Sequence, residues 1–448
     1  MIELLRRAAE VNGTRPAIIT DDRTIDYPAL LAQAEGVAAS LQARGIDRFG
    51  VLDHDAIDVV VLLAAASLVG AEMCLYPPLE SGDEVVALAA RVDHHVVVTN
   101  QELSADGVDL VLMSELDRAP HSTPAEPPAV RPLLVFTTGT TGEPRAARHD
   151  WWRLLRPYAA TAPAPAERWL LAYGLHQFGG LQLVLHVMAS AATLVAPVPR
   201  RPREGLAAMR RHDVDHASAT PTFWRWVLAE LRRDGGPVPE LRQVTLGGEA
   251  VPSRLLTDLE TTFPEARISQ VYAANEAGSM RSIRDGRNGL PLSALHERPD
   301  AAVALKIVDG ELWVRSRTGM LGYHGEAGIE PDSWRATGDL VEVVGDRVLF
   351  RGRSTEIINV GGVKVHPLPI EERVSAVPGV EFVRVFGRPS PLAGAIVAIE
   401  IVPRDGADTD EIDAAVREAC ADLPAAAQPR SIRFVAEIAT TGSKMRRS

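Results

Sequence analysis

Hydrophobic and polar positions follow two rhythms along this chain, one of helices and one of strands, and they alternate over residues 1–130. Ile25-Asp26-Tyr27-Pro28 reads as a turn opening a helix over Ala29–Ala43, which closes at Gly45. Val59–Val69 is apolar on every side and stops at Gly70, the pattern of a buried helix. Val96-Val97-Val98 and Leu110-Val111-Leu112-Met113 are short apolar runs with no polar side, which predicts strands covered on both faces. Ala119–Pro132 is rich in proline and reads as a surface linker.

The alternation resumes from residue 133 to about residue 345. Leu170–Tyr173, Ala192–Val195, Gln243–Leu246 and Ile268–Tyr272 are strand candidates, with helices predicted at Thr222–Arg233 and Ser253–Phe263 between them. Such a rhythm implies largely parallel sheets clothed by helices. Around Glu311–Arg315 and Val341–Phe350 the pattern changes to short alternating strands with glycine turns, the mark of an antiparallel unit. Beyond the polar segment Arg351–Glu356 a smaller α+β unit is expected, with strands at Val380–Gly387, Ala395–Val402 and Ile432–Val435 and a helix at Thr409–Ala421. No internal repeat is present.

Composition narrows the classes. A chain of 448 residues exceeds what one core organises, so two or more domains are expected. A net charge of −12 argues against general nucleic-acid or anionic-membrane binding. Cys74 and Cys420 are too far apart in sequence for a zinc motif and form no disulfide framework, which fits a reducing compartment. Met1–Glu10 lacks the apolar core of a signal peptide, and the apolar run Val59–Ala71 falls short of the ~20 residues a membrane span needs. A cytoplasmic location is the expectation. Among 47 basic residues only Lys306, Lys364 and Lys444 are lysines, so each position where a compact, movable ammonium replaces the prevailing guanidinium invites a reason.

The densest candidate chemistry is Val135–Pro144, in which an apolar strand runs into Thr137-Thr138-Gly139-Thr140-Thr141-Gly142. Glycine lets backbone N–H groups converge on an anion, and each threonine hydroxyl adds a donor without charge. The loop is built to wrap a polyphosphate, although a polar hairpin turn has the same composition. It is neither a Walker loop, since no Gly-Lys-Ser/Thr follows, nor a dinucleotide fingerprint.

Four further segments follow in order: Gly247-Gly248-Glu249-Ala250-Val251-Pro252; Gln270-Val271-Tyr272-Ala273-Ala274-Asn275-Glu276; Trp334–Leu340; and Arg351–Pro367, with the tail Thr441–Arg447 at the end. Together with the threonine loop, this order resembles the adenylate-forming superfamily of acyl- and aryl-CoA synthetases, nonribosomal peptide synthetase adenylation domains and firefly luciferase. The likeness spans nearly the whole chain. It implies an α/β fold: a large N-terminal domain, 1–351, of mixed parallel sheets and helices with a small antiparallel barrel-like unit. A hinge at 352–356 and a small mobile α+β C-terminal domain, 357–448, would follow.

The resemblance also implies roles. Thr137–Gly142 would cradle the β- and γ-phosphates of ATP, and Tyr272 would stack on adenine beside Gly248, Glu249 and Ala250. Asn275, where relatives carry threonine, would adjoin the α-phosphate, and Glu276 would hold Mg²⁺ through its hard oxygens. Asp339 would accept both ribose hydroxyls, with Arg353 reaching the same sugar. Lys444 would be the catalytic lysine, bridging the substrate carboxylate and the α-phosphate. His176 would gate the acid, and Gln177, Gly179, Phe223, Gly247, Ala273 and Ala274 would line its site. Gln177 stands where amino-acid-activating relatives place aspartate, which points to a neutral or aryl acid. Thr355 falls at the hinge position, where Asp or Lys is usual, and Gly361, Gly362 and Lys364 would face the thiol in a second pose. Arg145-Ala146 replaces the family's Lys-Gly, and His149 lies where relatives place a histidine, here read as structural.

The implied reaction is ATP-dependent acid activation with pyrophosphate release, then transfer to the thiol of coenzyme A. A carrier-protein phosphopantetheine and an amine are the alternative acceptors, and adenylation of nitrite for diazotisation is a further alternative. A nucleotide-binding scaffold that has lost catalysis is the reading from another class, supported by Asn275, Arg145 and Thr355 and opposed by Glu276, Asp339, Arg353 and Lys444. The expected partners are a small acid and, in the second reading, an acyl carrier protein, with the enzyme a monomer or homodimer.

Overall fold

Most of the apolar runs become inner strands of two sheets, because strands covered on both faces have no polar side to present. The run Leu110-Val111-Leu112, expected to be covered on both faces, lies instead in the edge strand Asp109–Leu112 with Leu112 exposed, since among the described residues no further strand pairs beyond it. The computed structural model describes residues 1–53, 55–116, 118, 127–137, 144–198, 200–296, 301–330, 332–391, 393–438, 440–441 and 444–445, with backbone alone at 279–281, 440–441 and 444–445. A seven-stranded sheet has the order Gly322–Tyr323, Arg145–Asp150, Pro132–Thr137, Glu72–Leu75, Arg48–Leu52, Val96–Thr99, Asp109–Leu112. From Pro132–Thr137 onward its neighbours are parallel. Arg145–Asp150 runs back antiparallel with Thr137 opposite Arg145, so the threonine segment joins two paired strands.

An eight-stranded sheet has the order Gly278–Ile283, Arg267–Ala274, Gln243–Gly247, His216–Ala219, Arg168–Leu171, Thr193–Val195, Pro16–Ile19, Thr24–Asp26. One continuous core joins the two sheets through the helices Tyr27–Ala43, Ala56–Val69 and Phe178–Ser190. Ala56–Val69 is buried along almost its whole length, as its all-round apolar pattern requires. Both early helices start before their apolar pattern does. Asp55 accepts from the N–H groups of Ile57 and Asp58, and Asp26 from that of Ala29, so Tyr27 and Pro28 belong to a first helical turn where a free turn was expected. Gly70 ends the second helix at φ 78°, a left-handed conformation that glycine adopts without strain.

The antiparallel unit is a five-stranded sheet ordered Leu290–Pro291, Arg347–Arg353, Arg335–Val344, Glu311–Ser316, Val303–Val308. Past Arg353 a short helical turn, Ser354–Glu356, leads into a smaller unit. Its sheet has the order Val363–Val365, Ile358–Val360, Gly394–Pro403, Val380–Ser390, with Ser431–Phe434 parallel on the other side of Gly394–Pro403. Helices Pro367–Ser375 and Thr409–Ala419 cover it. The architecture is thus the large mixed α/β domain and smaller C-terminal α+β domain that the sequence pattern implies.

The smaller domain rests on two helices of the larger, Pro221–Asp234 and Ser253–Thr262. Trp226 stacks on Phe382 with ring centroids 4.0 Å apart. Ala229, Val402 and Ile438 close around that pair. Polar contacts flank it: the Ser253 hydroxyl donates to Glu372 Oε1 at 3.0 Å and Arg254 donates to the Ser375 carbonyl at 2.7 Å. The tail hairpin, Thr440–Thr441 paired with Lys444–Met445, lies against the helix Pro221–Asp234.

Candidate active site

Strand Arg267–Ala274 delivers Tyr272, Ala273 and Ala274 to the sheet's edge, and Asn275 and Glu276 follow where the strand ends. The strand Arg335–Val344 approaches from the antiparallel sheet and presents Asp339. The Tyr272 hydroxyl donates to Asp339 Oδ2 at 2.6 Å, and Arg353 Nε donates to Oδ1 at 3.2 Å. Burial, reinforced by the Asp339 charge, pushes the Tyr272 phenol well above its ordinary pKa, so it remains a donor. The backbone behind Asp339 is fixed as well: Thr337 accepts from its N–H, and the Gly338 N–H donates to Glu311. A preorganised carboxylate with both oxygens oriented is what a vicinal diol requires.

Glu276 has its own support. The Tyr323 hydroxyl donates to Glu276 Oε1 at 2.7 Å. Arg145 lies over the Tyr323 ring, 3.5 Å from its centroid, and pairs with Glu326. Arginine where the resemblance implies lysine is therefore engaged through its planar face and its fork, neither of which an ammonium offers. Gly319 lets the next segment pass close, since a Cβ there would sit 2.4 Å from the Glu276 carbonyl oxygen. Among the described residues no group of three or more His, Cys, Asp or Glu side chains converges on a cation site. One carboxylate nonetheless suits Mg²⁺, which keeps several waters and takes further oxygens from substrate phosphates. If Tyr323 orients that carboxylate, Tyr323→Phe should raise the magnesium concentration for half-maximal activity by about tenfold, as loss of an outer-sphere partner does. A magnesium titration would check this.

The turn holding His176 is folded on itself. Gln177 Oε1 accepts from the Gly174 N–H at 3.2 Å, so this side chain, expected to line the acid's site, is turned to brace the loop. A Cβ on Gly179 would lie 3.2 Å from the Tyr173 ring, and one on Gly180 would lie 2.3 Å from the Gly174 carbonyl oxygen. Gly180→Ala should force the turn open and cost roughly 1–3 kcal/mol, readable by urea denaturation. Phe223, also expected at the acid, is 2% exposed and fills the core against Gly205 and Trp224. Gly247 ends its strand facing the Tyr173 hydroxyl. Gly248 follows at φ 83°, and Glu249 Oε2 accepts from the Thr222 N–H at 3.0 Å. Glu249 and Ala250 open onto a cleft between the domains that Asn288, Phe350, Leu368 and Glu372 also line.

Asn275 and His149 meet, with His149 Nε2 3.3 Å from Asn275 Oδ1. Phe178, the first residue of the helix after the His176 turn, stacks on the same imidazole at 5.3 Å and 20°. His149 is 1% exposed, and burial lowers its pKa to about 4.

The remaining expected residues are spread more widely. Thr137 Oγ1 donates to the Arg145 carbonyl, while Thr138, Gly139, Thr140, Thr141 and Gly142 lie outside the described residues. Thr355 is exposed on the turn Ser354–Glu356. Gly361 and Gly362 form a hairpin tip with open space about both, next to the exposed Lys364. Lys444 is described in its backbone, paired with Thr441, and its side chain lies outside the description. The fold thus brings together Tyr272, Asn275, Glu276, Asp339 and Arg353, with Glu249 and Ala250 nearby, while the 361–364 hairpin belongs to the sheet of the smaller domain. Tyr323 and Phe178 went unassigned from sequence. Their one signal is aromatic scarcity, with six tyrosines and nine phenylalanines in the chain, each beside a glycine turn.

Two helix-covered sheets, an antiparallel unit whose Asp339 and Arg353 meet Tyr272 of the eight-stranded sheet, and a smaller C-terminal domain make up the two-domain fold of adenylate-forming enzymes. The chain belongs to the AMP-binding enzyme family, whose model matches residues 5–324, and the AMP-binding enzyme C-terminal domain matches residues 369–444. Feruloyl-CoA synthase of Amycolatopsis sp is 28% identical over 98% of this chain and 91% of that protein. The fatty acid–[acyl-carrier-protein] ligase MmaC of Mycobacterium marinum is 26% identical over 98% of this chain and 87% of its own. The anthranilate CoA ligase AuaEII in complex with anthranoyl-AMP has the same fold, with TM-score 0.84 at 19% identity over 99% of this chain and 94% of that one. So does o-succinylbenzoate CoA synthetase of Bacillus subtilis in complex with ATP and magnesium ion, with TM-score 0.76 at 20% identity over 98% and 97%. No helix among the described residues is long and apolar enough to cross a membrane.

Proposed function

We propose that this protein activates an aryl or small-to-medium acyl carboxylic acid as its adenylate and passes the acyl group to the thiol of coenzyme A. The observation that carries the proposal is the Asp339 carboxylate, its two oxygens held by Tyr272 and Arg353, beside the Asn275–Glu276 corner. In the reaction a carboxylate oxygen of the acid attacks the α-phosphorus of ATP, and pyrophosphate leaves. Asp339 holds the ribose, while Thr137–Gly142 contain the departing phosphates. Asn275 donates to an α-phosphate oxygen. Glu276 would hold Mg²⁺, which when bound would supply positive charge against the phosphates. Lys444 stabilises negative charge as it develops between carboxylate and phosphorus. The thiol then attacks the acyl carbon, and AMP departs with one oxygen of the original acid.

Rotation of the smaller domain about Thr355 would exchange Lys444 for the Gly361–Lys364 hairpin, and it requires the Trp226–Phe382 stack to part. Transfer to a carrier protein is the second reading. It is favoured by the near full-length match to an acyl-carrier-protein ligase and by a 26% identical match to phenyloxazoline synthase MbtB, of which this chain spans 33%. Pyrophosphate release should be measured with a panel of aryl and acyl acids, with coenzyme A and separately with a phosphopantetheinylated carrier. Acid-dependent release, enhanced by coenzyme A, is expected. Enhancement by the carrier alone would transfer the proposal to the second reading, and no release with any acid would overturn both.

A further inference from the structure

The carboxamide of Asn275 has the same shape whichever way it faces, but its two ends have opposite polarity. With Nδ2 toward a phosphate it donates to the anion. Turned by a half rotation it points a carbonyl oxygen at negative charge and repels it. A threonine, which the family resemblance implies at this position, has no such problem, because its hydroxyl rotates to donate wherever an acceptor lies. Asparagine here therefore needs something to fix its orientation.

We propose that His149 is that positioning residue: its Nε2–H holds Asn275 Oδ1, so that the Asn275 amide N–H groups are the face offered to the α-phosphate. Nε2 lies 3.3 Å from Oδ1, on a ring sealed from solvent. Phe178 stacks on that ring and fixes its plane, so the imidazole cannot swing away from the amide without unstacking. Three segments remote in sequence meet in this contact: the strand leaving the threonine loop, the helix that follows the acid turn, and the corner after strand Arg267–Ala274. The neutral state imposed by burial is compatible with a single ring proton on Nε2, which leaves both amide hydrogens of Asn275 to the ligand.

The inference rests on the adenylation reading, which places the α-phosphate at Asn275. AMP and adenosine differ by that phosphate alone, so their affinities, measured by calorimetry without any acid, isolate the contact. The wild type should bind AMP more tightly than adenosine. His149→Leu, and His149→Phe as a variant that keeps an aromatic ring on Phe178, should each lose about tenfold in AMP affinity with adenosine affinity unchanged, as expected for a hydrogen bond to a charged group. His149→Gln, which restores an N–H donor, should recover most of the loss. Combined with Asn275→Thr, His149→Phe should have no further effect on AMP. Equal losses for AMP and adenosine, or the same AMP loss in both backgrounds, would overturn the positioning role while leaving adenylation standing. A wild type that binds neither ligand would overturn both.

Discussion

Replacing Lys444 by alanine should lower adenylate formation by about 10²–10³-fold while the protein stays folded, the loss expected when a principal electrostatic donor to the transition state is removed. The expectation has a compositional and a structural basis. Arginine serves almost everywhere else in this chain, yet lysine is kept here, where, on the proposed mechanism, a movable point charge would follow charge from carboxylate to phosphorus. Of the other two lysines, Lys306 is occupied by the indole rings of Trp334 and Trp313, at 4.5 and 5.6 Å from their centroids. Lys364 is exposed on a hairpin of the smaller domain, opposite Asn359. The backbone of Lys444, in contrast, forms a hairpin lodged against the helix Pro221–Asp234, whose first residues adjoin Glu249. ATP–pyrophosphate exchange reads the first half-reaction alone, and an unchanged rate in the variant would remove Lys444 from the mechanism.

Asp339→Ala should weaken ATP binding by about 100-fold, since two hydrogen bonds from the ribose to a charged acceptor would be lost at roughly 1.5 kcal/mol or more each. The loss would be compounded by what remains. Arg353 and Tyr272 both converge on this carboxylate, and without it an exposed guanidinium and a partly buried phenol would be left without their shared acceptor. Asp339→Asn keeps the shape but halves the acceptor capacity, so it should fall between wild type and alanine. Nucleotide titration of the three proteins would test the order, and an unaltered affinity in the alanine variant would contradict the ribose assignment.

Much of this architecture was legible because it follows from backbone chemistry. The apolar run Val59–Val69 could only be a helix buried on all sides, and Val96-Val97-Val98 could only be an inner strand. The start of that helix, and of the helix Tyr27–Ala43, slipped by a few residues because Asp55 and Asp26 cap from polar positions outside the apolar pattern. Strand Arg145–Asp150 was not visible, since a sequence of arginine, alanine, histidine and aspartate has no strand rhythm. It is a strand because Pro132–Thr137 on one side and Gly322–Tyr323 on the other satisfy its backbone. At the site, Tyr272, Glu276, Asp339 and Arg353 could be listed from motifs, but their mutual contacts could not. Tyr323 holds Glu276 across 47 residues of sequence, and no periodicity announces such a bond. The turn of Gln177 onto Gly174 and the burial of Phe223 were hidden for the same reason: a motif gives a side chain's place along the chain, while packing decides where it points.

The central claim is that a carboxylate of the substrate attacks the α-phosphorus of ATP, and the fate of the acid's own oxygen tests it most directly. With an accepted acid labelled with oxygen-18 in both carboxylate positions, the AMP released after thioester formation should carry one labelled oxygen, seen by mass spectrometry. Release of ADP, or AMP free of label while thioester accumulates, would contradict the account.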